Sequence, residues 1–267
     1  MIAQPVPVHD GRSRSLRGHR RTLGVHLADR LDGHRRHPAA WWPWLAVALG
    51  VWFLVGAFVP HGSTLIEALA LPLGGATEAA IRIRFGAGEL SSRTAASGQL
   101  VEGEFLGGVT HRLQGPGRLE LEQDTSHGWP WLDRRSSWTV GLTADVPLDL
   151  RVDAGASRNV LDLRDLRVRI LDLHTGASDT RILLPRAAGA TSVRAETGAA
   201  SLALEVPQGV AARIRTRVVL GSVQIDESRF PPVTGGYESP DYATAANRVD
   251  IDVQGGVGSF RVRAAGA

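Results

Sequence analysis

Residues 148–201, LDLRVDAGASRNVLDLRDLRVRILDLHTGASDTRILLPRAAGATSVRAETGAAS, decide the fold of this chain because one short pattern recurs in them. A small-residue turn beginning with Gly-Ala appears at Gly155, Gly176 and Gly198, at intervals of 21 and 22 residues. Each turn follows a stretch of alternating apolar and polar residues, the period of a strand with one buried face. Units this regular predict stacked rungs that bury their apolar faces against their neighbours. The alternative is an ordinary β-meander with glycine-rich turns, and both interpretations are all-β.

The alternation extends beyond the repeat in both directions. It is present at Ile81–Phe85, before the repeat, and at Val249–Val253, near the end of the chain. Thirty-one glycines and fourteen prolines supply the turns between such stretches. We therefore predict one β domain over residues 80–264, and a helix of any length is hard to place beyond Ile66 to Ala80.

Five segments carry a resemblance to a known family: Ile83–Leu90, Leu100–Gly103, Asp145–Leu150, Gly236–Pro240 and Ala246–Ile251. Together with the Gly-Ala turns, they are similar to the toastrack domain of LiaF-like bacterial membrane proteins, which are linked to responses to cell-wall-active antibiotics. The resemblance implies a β-solenoid-like domain attached to a membrane segment, and well-studied relatives modulate a sensor kinase. This chain has one clear apolar span where those proteins have several.

Membrane attachment is predicted from the apolar run Trp41–Val59, which contains no charged residue. About 19 residues at about 1.5 Å each reach roughly 29 Å, close to the hydrocarbon thickness of a bilayer. Trp41, Trp42 and Trp44 lie at one edge, and indole rings favour the headgroup level. We therefore predict a single transmembrane helix over residues 41–60. A buried core helix would show polar residues at the helical period, and a signal peptide would be shorter and nearer the start.

The basic tail, residues 1–40, sets the expected orientation. It carries eight arginines, while the twenty residues after the apolar run carry none. Positive residues stay on the cytoplasmic side, so we predict a cytoplasmic N-terminus and an extracytoplasmic β domain in the cell membrane. The tail is expected to be a disordered, solvated arm, although Leu23, Leu27 and Leu31 also fit a short basic helix on anionic lipid. No DNA-binding motif is present, so nucleic acid is not an expected partner.

Residues 61–79 are predicted to form a membrane-proximal linker or a short helix. Their apolar patch, residues 65–73, is short and is interrupted by Glu67 and Pro72. It is therefore expected to lie on the membrane surface or to begin the folded domain rather than to cross back. If it did cross, the β domain would be cytoplasmic.

Composition removes several kinds of chemistry. All 30 basic residues are arginine, against 27 acidic residues, and the chain has no cysteine. Disulfides and thiolate metal sites are therefore excluded. No nucleophile elbow, phosphate-binding loop or zinc-binding His-Glu-x-x-His occurs, and the histidines after the anchor are isolated. We predict no catalytic residue, no metal site and no cofactor.

One group of residues points instead towards an enzyme, because grouped aspartates act on polysaccharides in parallel β-helix enzymes. Seven aspartates cluster in sequence: Asp145, Asp149, Asp153, Asp162, Asp165, Asp172 and Asp179. A carboxyl pair at suitable separation does acid–base work on a sugar. Several of these aspartates alternate with leucine or valine, however, and the arginines at 151, 158, 164 and 167 are near enough to pair with them. A charge-balanced, solvated surface is therefore the favoured interpretation.

The best candidate for recognition is a segment with two tryptophans beside two arginines. Trp129 and Trp131 flank a proline, and Arg134 and Arg135 follow closely. Such a segment would stack on glycan rings or contact a partner protein. Alternatively, it caps the open end of the β stack, with Trp138 inside.

A second candidate contact is the long loop from Phe230 to Ala246, which contains Tyr237. The alternative is a packed loop that covers a sheet edge.

These patterns favour a non-catalytic, membrane-anchored envelope protein that modulates or senses cell-envelope stress through protein contacts. Its expected partners are the lipid bilayer and a membrane sensor kinase or another envelope protein. A module that binds cell-wall glycan or lipid precursors through Trp129 and Trp131 is the alternative, and an anchored polysaccharide-active enzyme is third. The sequence does not define the oligomeric state.

Overall fold

The computed structural model describes residues 66–124 and 136–265. They lie in one compact unit, His61–Ala267. All regular elements in the described ranges are strands, which confirms the all-β prediction there: β1 (Ile66–Pro72), β2 (Ala79–Thr94), β3 (Gln99–Leu106), β4 (Val109–Gly115), β5 (Arg118–Gln123), β6 (Ser137–Leu142), β7 (Leu148–Asp162), β8 (Val168–Leu183), β9 (Ala190–Val206), β10 (Ala211–Ile225), β11 (Pro232–Val233), β12 (Gly236–Glu238) and β13 (Arg248–Ala264).

The predictions for the start of the chain lie outside the described residues. They are the basic tail, residues 1–40, and the transmembrane helix over residues 41–60 with Trp41, Trp42 and Trp44 at its edge. In the part of the chain that the structure describes, no helix has the length and apolar character needed to cross a membrane.

The central strands stack in parallel and in register. Leu150 pairs with Leu171 and Leu161 pairs with Ile182 between β7 and β8, and β8 pairs with β9 in the same way. A straight strand as long as β7 would extend about 50 Å. Only residues 163–167 connect its end to the start of β8, and they span at most about 18 Å. Each strand must therefore fold back on itself, as a rung of a stack rather than a strand of a meander.

The fold-back point is the repeated Gly-Ala turn, which we call the corner. Ala156 pairs with Ala177, and Ala177 with Ala199, so the corners of three rungs are aligned. Inward-facing residues alternate before and after each corner, but the alternation is interrupted at it: Thr175 and Thr180 are buried and the residues between them are not. Each rung therefore has a first half before the corner and a second half after it.

The order of the rungs differs from the order of the chain. Across the stack it is β2, β7, β8, β9, β13 and β10. Because β13 inserts between β9 and β10, the terminal rung is β10 and not the last strand of the chain. The sheet formed by the first halves is extended by β5 and β4, which pair beyond β2, and by β12 and β11, which pair beyond β10. The sheet formed by the second halves is extended beyond β2 by β6, β3 and β1, which pair in that order.

One apolar core receives side chains from both halves of the rungs. Val152, before the corner of β7, and Leu161, after it, belong to the same buried cluster. Towards the β1 end, Trp138 is fully buried, with its ring 5.2 Å from Phe85 and 5.0 Å, edge-on, from Phe105. Trp138 therefore lies inside the β stack, as the capping alternative for the tryptophan segment assumes; the capping itself stays a prediction.

The short-helix alternative for residues 61–79 is wrong over Ile66–Pro72, which form β1. This strand pairs antiparallel with Gln99–Leu106 of β3. Leu69, Leu71 and Leu73 pack against the core at a spacing of two residues, which suits a strand and not a helix. The sheet therefore begins before residue 80.

Candidate interaction surfaces

Of the predicted contact residues, Tyr237 lies in the part of the chain that the structure describes. Trp129, Trp131, Arg134 and Arg135 lie outside the described residues, and their role stays a prediction. Tyr237 lies on β12, where it pairs with Ile214 of β10 and packs, partly buried, against the core. The described surroundings of Tyr237 are those of a packing residue, and a contact role for it also stays a prediction.

The long loop that contains Tyr237 covers a sheet edge. Its two short strands, β11 and β12, pair with each other, and β12 pairs with Arg213 and Ile214 at the start of β10. Phe230 is fully buried, and the guanidinium of Arg213 stacks 4.2 Å from the centre of the Tyr242 ring. The loop is therefore fixed to the first half of the terminal rung, in agreement with the packed-loop alternative.

Arg229 fastens the start of this loop to a neighbouring turn. Its guanidinium donates hydrogen bonds to the carbonyls of Val206 (2.9 Å), Pro207 (2.5 Å) and Val210 (2.9 Å). Burial lowers the pKa of Arg229, but arginine remains charged at any physiological pH. This one side chain satisfies three carbonyls at the turn between β9 and β10.

A row of polar side chains crosses the outer surface of the first halves, just before the corner. Asp153, His174 and Glu196 occupy successive rungs in register. His174 Nδ1 lies 3.1 Å from Asp153 Oδ1, and its Nε2 lies 3.7 Å from Glu196 Oε2. The row continues through Gln254 to Arg217 on the terminal rung. These side chains border a groove of about 870 Å³.

The floor of this groove is bare backbone because glycines line it. Gly155, Gly176, Gly198 and Gly256 are stacked over one another at the corners. A Cβ on Gly155 would lie 2.3 Å from the carbonyl oxygen of Gly86, and one on Gly198 would lie 2.9 Å from that of Gly176. At Gly155 and Gly198 the rungs therefore stack at their observed spacing only without a side chain, and the groove follows from that packing.

Two arginines act on the carboxylate of Asp153 in this row. Burial raises the pKa of Asp153, but hydrogen bonds and charge from Arg82 and Arg151 outweigh it, so the pKa lies below its ordinary value. Arg82 Nη2 is 2.7 Å from Asp153 Oδ2. Asp153 is therefore held as an anion by two cations.

Glu205 links three rungs through its carboxylate. Its side chain is only 6% exposed, and Oε1 accepts hydrogen bonds from Arg181 of β8 and Arg263 of β13. Burial raises the pKa of Glu205, but these two arginines outweigh it and hold the pKa below its ordinary value. The second halves of β8, β9 and β13 are thus joined by one buried anion.

This arrangement does not favour acid–base catalysis. A general acid on a sugar needs a carboxyl with a raised pKa, whereas the pKa values of Asp153 and Asp162 are lowered by arginines. The charge pairing predicted for the aspartates is confirmed at three of the four arginines named for it: Arg151–Asp153, Arg158–Asp179 and Arg164–Asp162. Among the described residues, no group of three or more histidine or carboxylate side chains has the arrangement of a metal site.

The second half of β10 is an open sheet edge. Leu220–Ile225 pair with β13 on one side, and in residues 66–124 and 136–265 no strand pairs with them on the other side. Val219, Leu220 and Val223 are 80%, 65% and 39% exposed here, and Val257 of β13, 55% exposed, extends the patch. Exposed apolar clusters and unpaired edges both mark places where proteins associate.

Together these features define an all-β domain of stacked rungs, with an arginine-paired polar surface and one open apolar edge. The same fold is seen in a solved structure of a candidate cell adhesion protein from Clostridium sporogenes ATCC 15579. The two align with a TM-score of 0.69 and 18% sequence identity over 76% of this chain and 100% of that chain. A candidate adhesin from Bacteroides fragilis NCTC 9343 aligns with a TM-score of 0.33 and 10% identity over 76% of this chain and 99% of that chain. No curated protein matches the sequence.

Residues 61–205, more than half of the chain, match the family described as the N-terminal domain of toast_rack, DUF2154. The chain therefore belongs to the toast_rack family. This match confirms the resemblance to the toastrack domain.

Proposed function

We propose that this chain is a non-catalytic envelope protein that modulates or senses cell-envelope stress through protein contacts. A single helix over residues 41–60 anchors it in the cell membrane, the basic tail stays in the cytoplasm, and the β domain lies outside. The observation that carries the proposal is the open apolar edge at Val219, Leu220 and Val223, on a domain where arginines pair with Asp153 beside the groove. Such a surface is suited to contact and not to turnover.

Three further points support a contact role. Toast_rack membership agrees with the LiaF-like resemblance, and the well-studied LiaF-like proteins modulate a membrane sensor kinase. The C. sporogenes protein with the same fold is a candidate for cell adhesion, which is also a function of contact. Two of the seven aspartates that would serve an enzyme, Asp153 and Asp162, have lowered pKa values, opposite to the requirement for a general acid.

One observation favours the glycan-binding alternative. The segment with Trp129 and Trp131 leaves β5 after Gln123 and returns at Ser136, and both of these residues lie at the corner of β2. Gln123 Oε1 accepts hydrogen bonds from the backbone of Gly86 and Ala87, and its Nε2 donates to Ser136 Oγ. The tryptophan segment therefore starts and ends at the edge along which the glycine-floored groove runs.

A rescue experiment tests the proposal against this alternative. The gene is deleted in its host, and survival under a cell-wall-active antibiotic is compared after complementation with the native chain or with Trp129→Ala/Trp131→Ala. We expect deletion to alter survival and both chains to restore it equally. Failure of the double variant, together with loss of its co-sedimentation with purified peptidoglycan sacculi, would replace protein contact by glycan binding. Release of soluble fragments from the sacculi by the native chain would contradict the non-catalytic role.

A further inference from the structure

The open edge of β10 is unlike the other ends of the stack. The edge strand at the opposite end of the second halves, β1, carries Glu67 and ends at Pro72, which has no backbone N–H to offer. The edge strand β4 carries His111 and Arg112 among its exposed residues. Charges and prolines of this kind discourage edge-to-edge pairing.

In contrast, residues 218–225 of β10 read Val-Val-Leu-Gly-Ser-Val-Gln-Ile, with no charge and no proline. They have high β propensity, and their outer backbone groups face solvent along Leu220–Ile225. The hairpin of β11 and β12 reaches only Arg213 and Ile214, so it leaves this second half uncovered. The edge is therefore ready to accept one more strand.

The charges at the two ends of the open edge indicate which strand would pair there and in which direction. Arg217 lies just before the corner and Glu227 just after the strand, both exposed, and neither has an ion-pair partner among the residues that the structure describes. A parallel copy of β10 would place like charges together. An antiparallel copy places the Arg217 end of one chain beside the acidic turn at Asp226 and Glu227 of the other.

We propose that β10 pairs antiparallel with β10 of a second copy of this chain, which joins the two second-half sheets across a two-fold axis. In a two-fold antiparallel pair, one residue lies opposite itself. When Ser222 lies opposite itself, Leu220 of each chain lies opposite Gln224 of the other chain. This pairing covers the apolar patch around Val219. The second copy of the chain is then one partner in the proposed contact function, and the pairing rests on that function.

A cysteine cross-link tests the pairing, since the chain has no cysteine of its own. In the proposed dimer the two Ser222 Cα atoms are about 4.5–5.5 Å apart, within the range of a disulfide. Ser201→Cys is the matched control because Ser201 is exposed like Ser222 and lies in the same row, with Ser259 of β13 between them. Ser201 lies two strands inward, so its two copies would be about 24 Å apart, at about 4.8 Å per strand.

The full chain carrying each cysteine is oxidised in isolated membranes, and the covalent dimer is measured by non-reducing electrophoresis. We expect Ser222→Cys to form at least ten times more dimer than Ser201→Cys. Addition of Val219→Lys and Leu220→Lys, which change only exposed side chains, should return Ser222→Cys to the control level. Equal cross-linking at both positions, no dimer at Ser222→Cys, or an adduct of different mass would each overturn the proposal. Isolated membranes expose both sides of the bilayer, so a negative result here leaves the sidedness in the proposed function untouched.

Discussion

Replacement of Gly155 by alanine should destabilise the domain far more than the same change at Gly176. The added Cβ at 155 would lie 2.3 Å from the carbonyl oxygen of Gly86, about 1 Å inside ordinary contact, and that oxygen belongs to backbone that cannot rotate away. The two rungs would have to part locally by a substantial fraction of their spacing of about 4.8 Å. Overpacking of this kind costs about 1–3 kcal/mol and sometimes more, and we expect about 3 kcal/mol.

The matched change at Gly176 places the added Cβ 3.1 Å from the carbonyl oxygen of Gly155. A shift of the backbone by a few tenths of an ångström relieves this close contact. Alanine also restricts the unfolded chain, which stabilises by about 0.4–1 kcal/mol. The two effects nearly cancel, and we expect a net change within about 1 kcal/mol.

Thermal unfolding of the full chain in detergent, followed by circular dichroism, measures both variants. For a domain of this size each kcal/mol lowers Tm by about 2–4 °C, so Gly155→Ala should unfold roughly 6–12 °C below the native chain. Gly176→Ala should remain within about 4 °C of it. The reasoning would be refuted if the two variants lost the same stability, or if Gly155→Ala unfolded with the native chain.

Three further outcomes are expected. Glu205→Gln should lose about 1–3 kcal/mol at pH 7, because its charge-assisted hydrogen bonds with Arg181 and Arg263 weaken. Because the pKa of Glu205 is lowered in the folded state, its contribution to the free energy of unfolding is complete above its ordinary pKa of 4.5 and is lost as pH falls through the folded pKa. Urea titrations should therefore give the native chain and Glu205→Gln the same stability in acid. A stability difference that stays constant with pH would contradict the role given to the Glu205 carboxylate. Arg229→Met should speed backbone hydrogen exchange in residues 206–210 and 226–242 at least tenfold, and unchanged exchange would show that its three carbonyl bonds do not hold the loop. Asp153→Asn removes ion pairs that are partly exposed to solvent, so it should change the free energy of unfolding by less than about 1 kcal/mol. A larger loss in the urea titration would contradict a minor role for these ion pairs in stability.

The repeat in the sequence predicted the rungs well, because its signal is local and periodic. Alternation before each Gly-Ala turn set the inward faces, and the interval of 21 or 22 residues aligned Ala156, Ala177 and Ala199 on neighbouring strands. The pairing of aspartates with nearby arginines was predictable for the same reason. Arg164 and Asp162, for example, are two residues apart in sequence and 2.6 Å apart in the structure.

The ends of the stack were not predictable, since they depend on long-range order. Nothing local in residues 248–264 indicates that β13 enters between β9 and β10 rather than following β10. The open edge of β10 exists only because of that insertion, although the uncharged run at residues 218–225 is a local signal of an unprotected strand. Ile66–Pro72 were hard to assign because Glu67 and Pro72 interrupt an apolar patch too short to show a clear period.

The most direct test of the account is the side of the membrane on which the β domain lies. Single cysteines at Ser201, exposed on β9, and at Ser13, in the basic tail, are treated in intact and permeabilised cells with a maleimide that does not cross membranes. We predict that Ser201→Cys is labelled in intact cells and that Ser13→Cys is labelled only after permeabilisation. Labelling of Ser201→Cys only after permeabilisation would contradict an extracytoplasmic contact domain and place its partners in the cytoplasm.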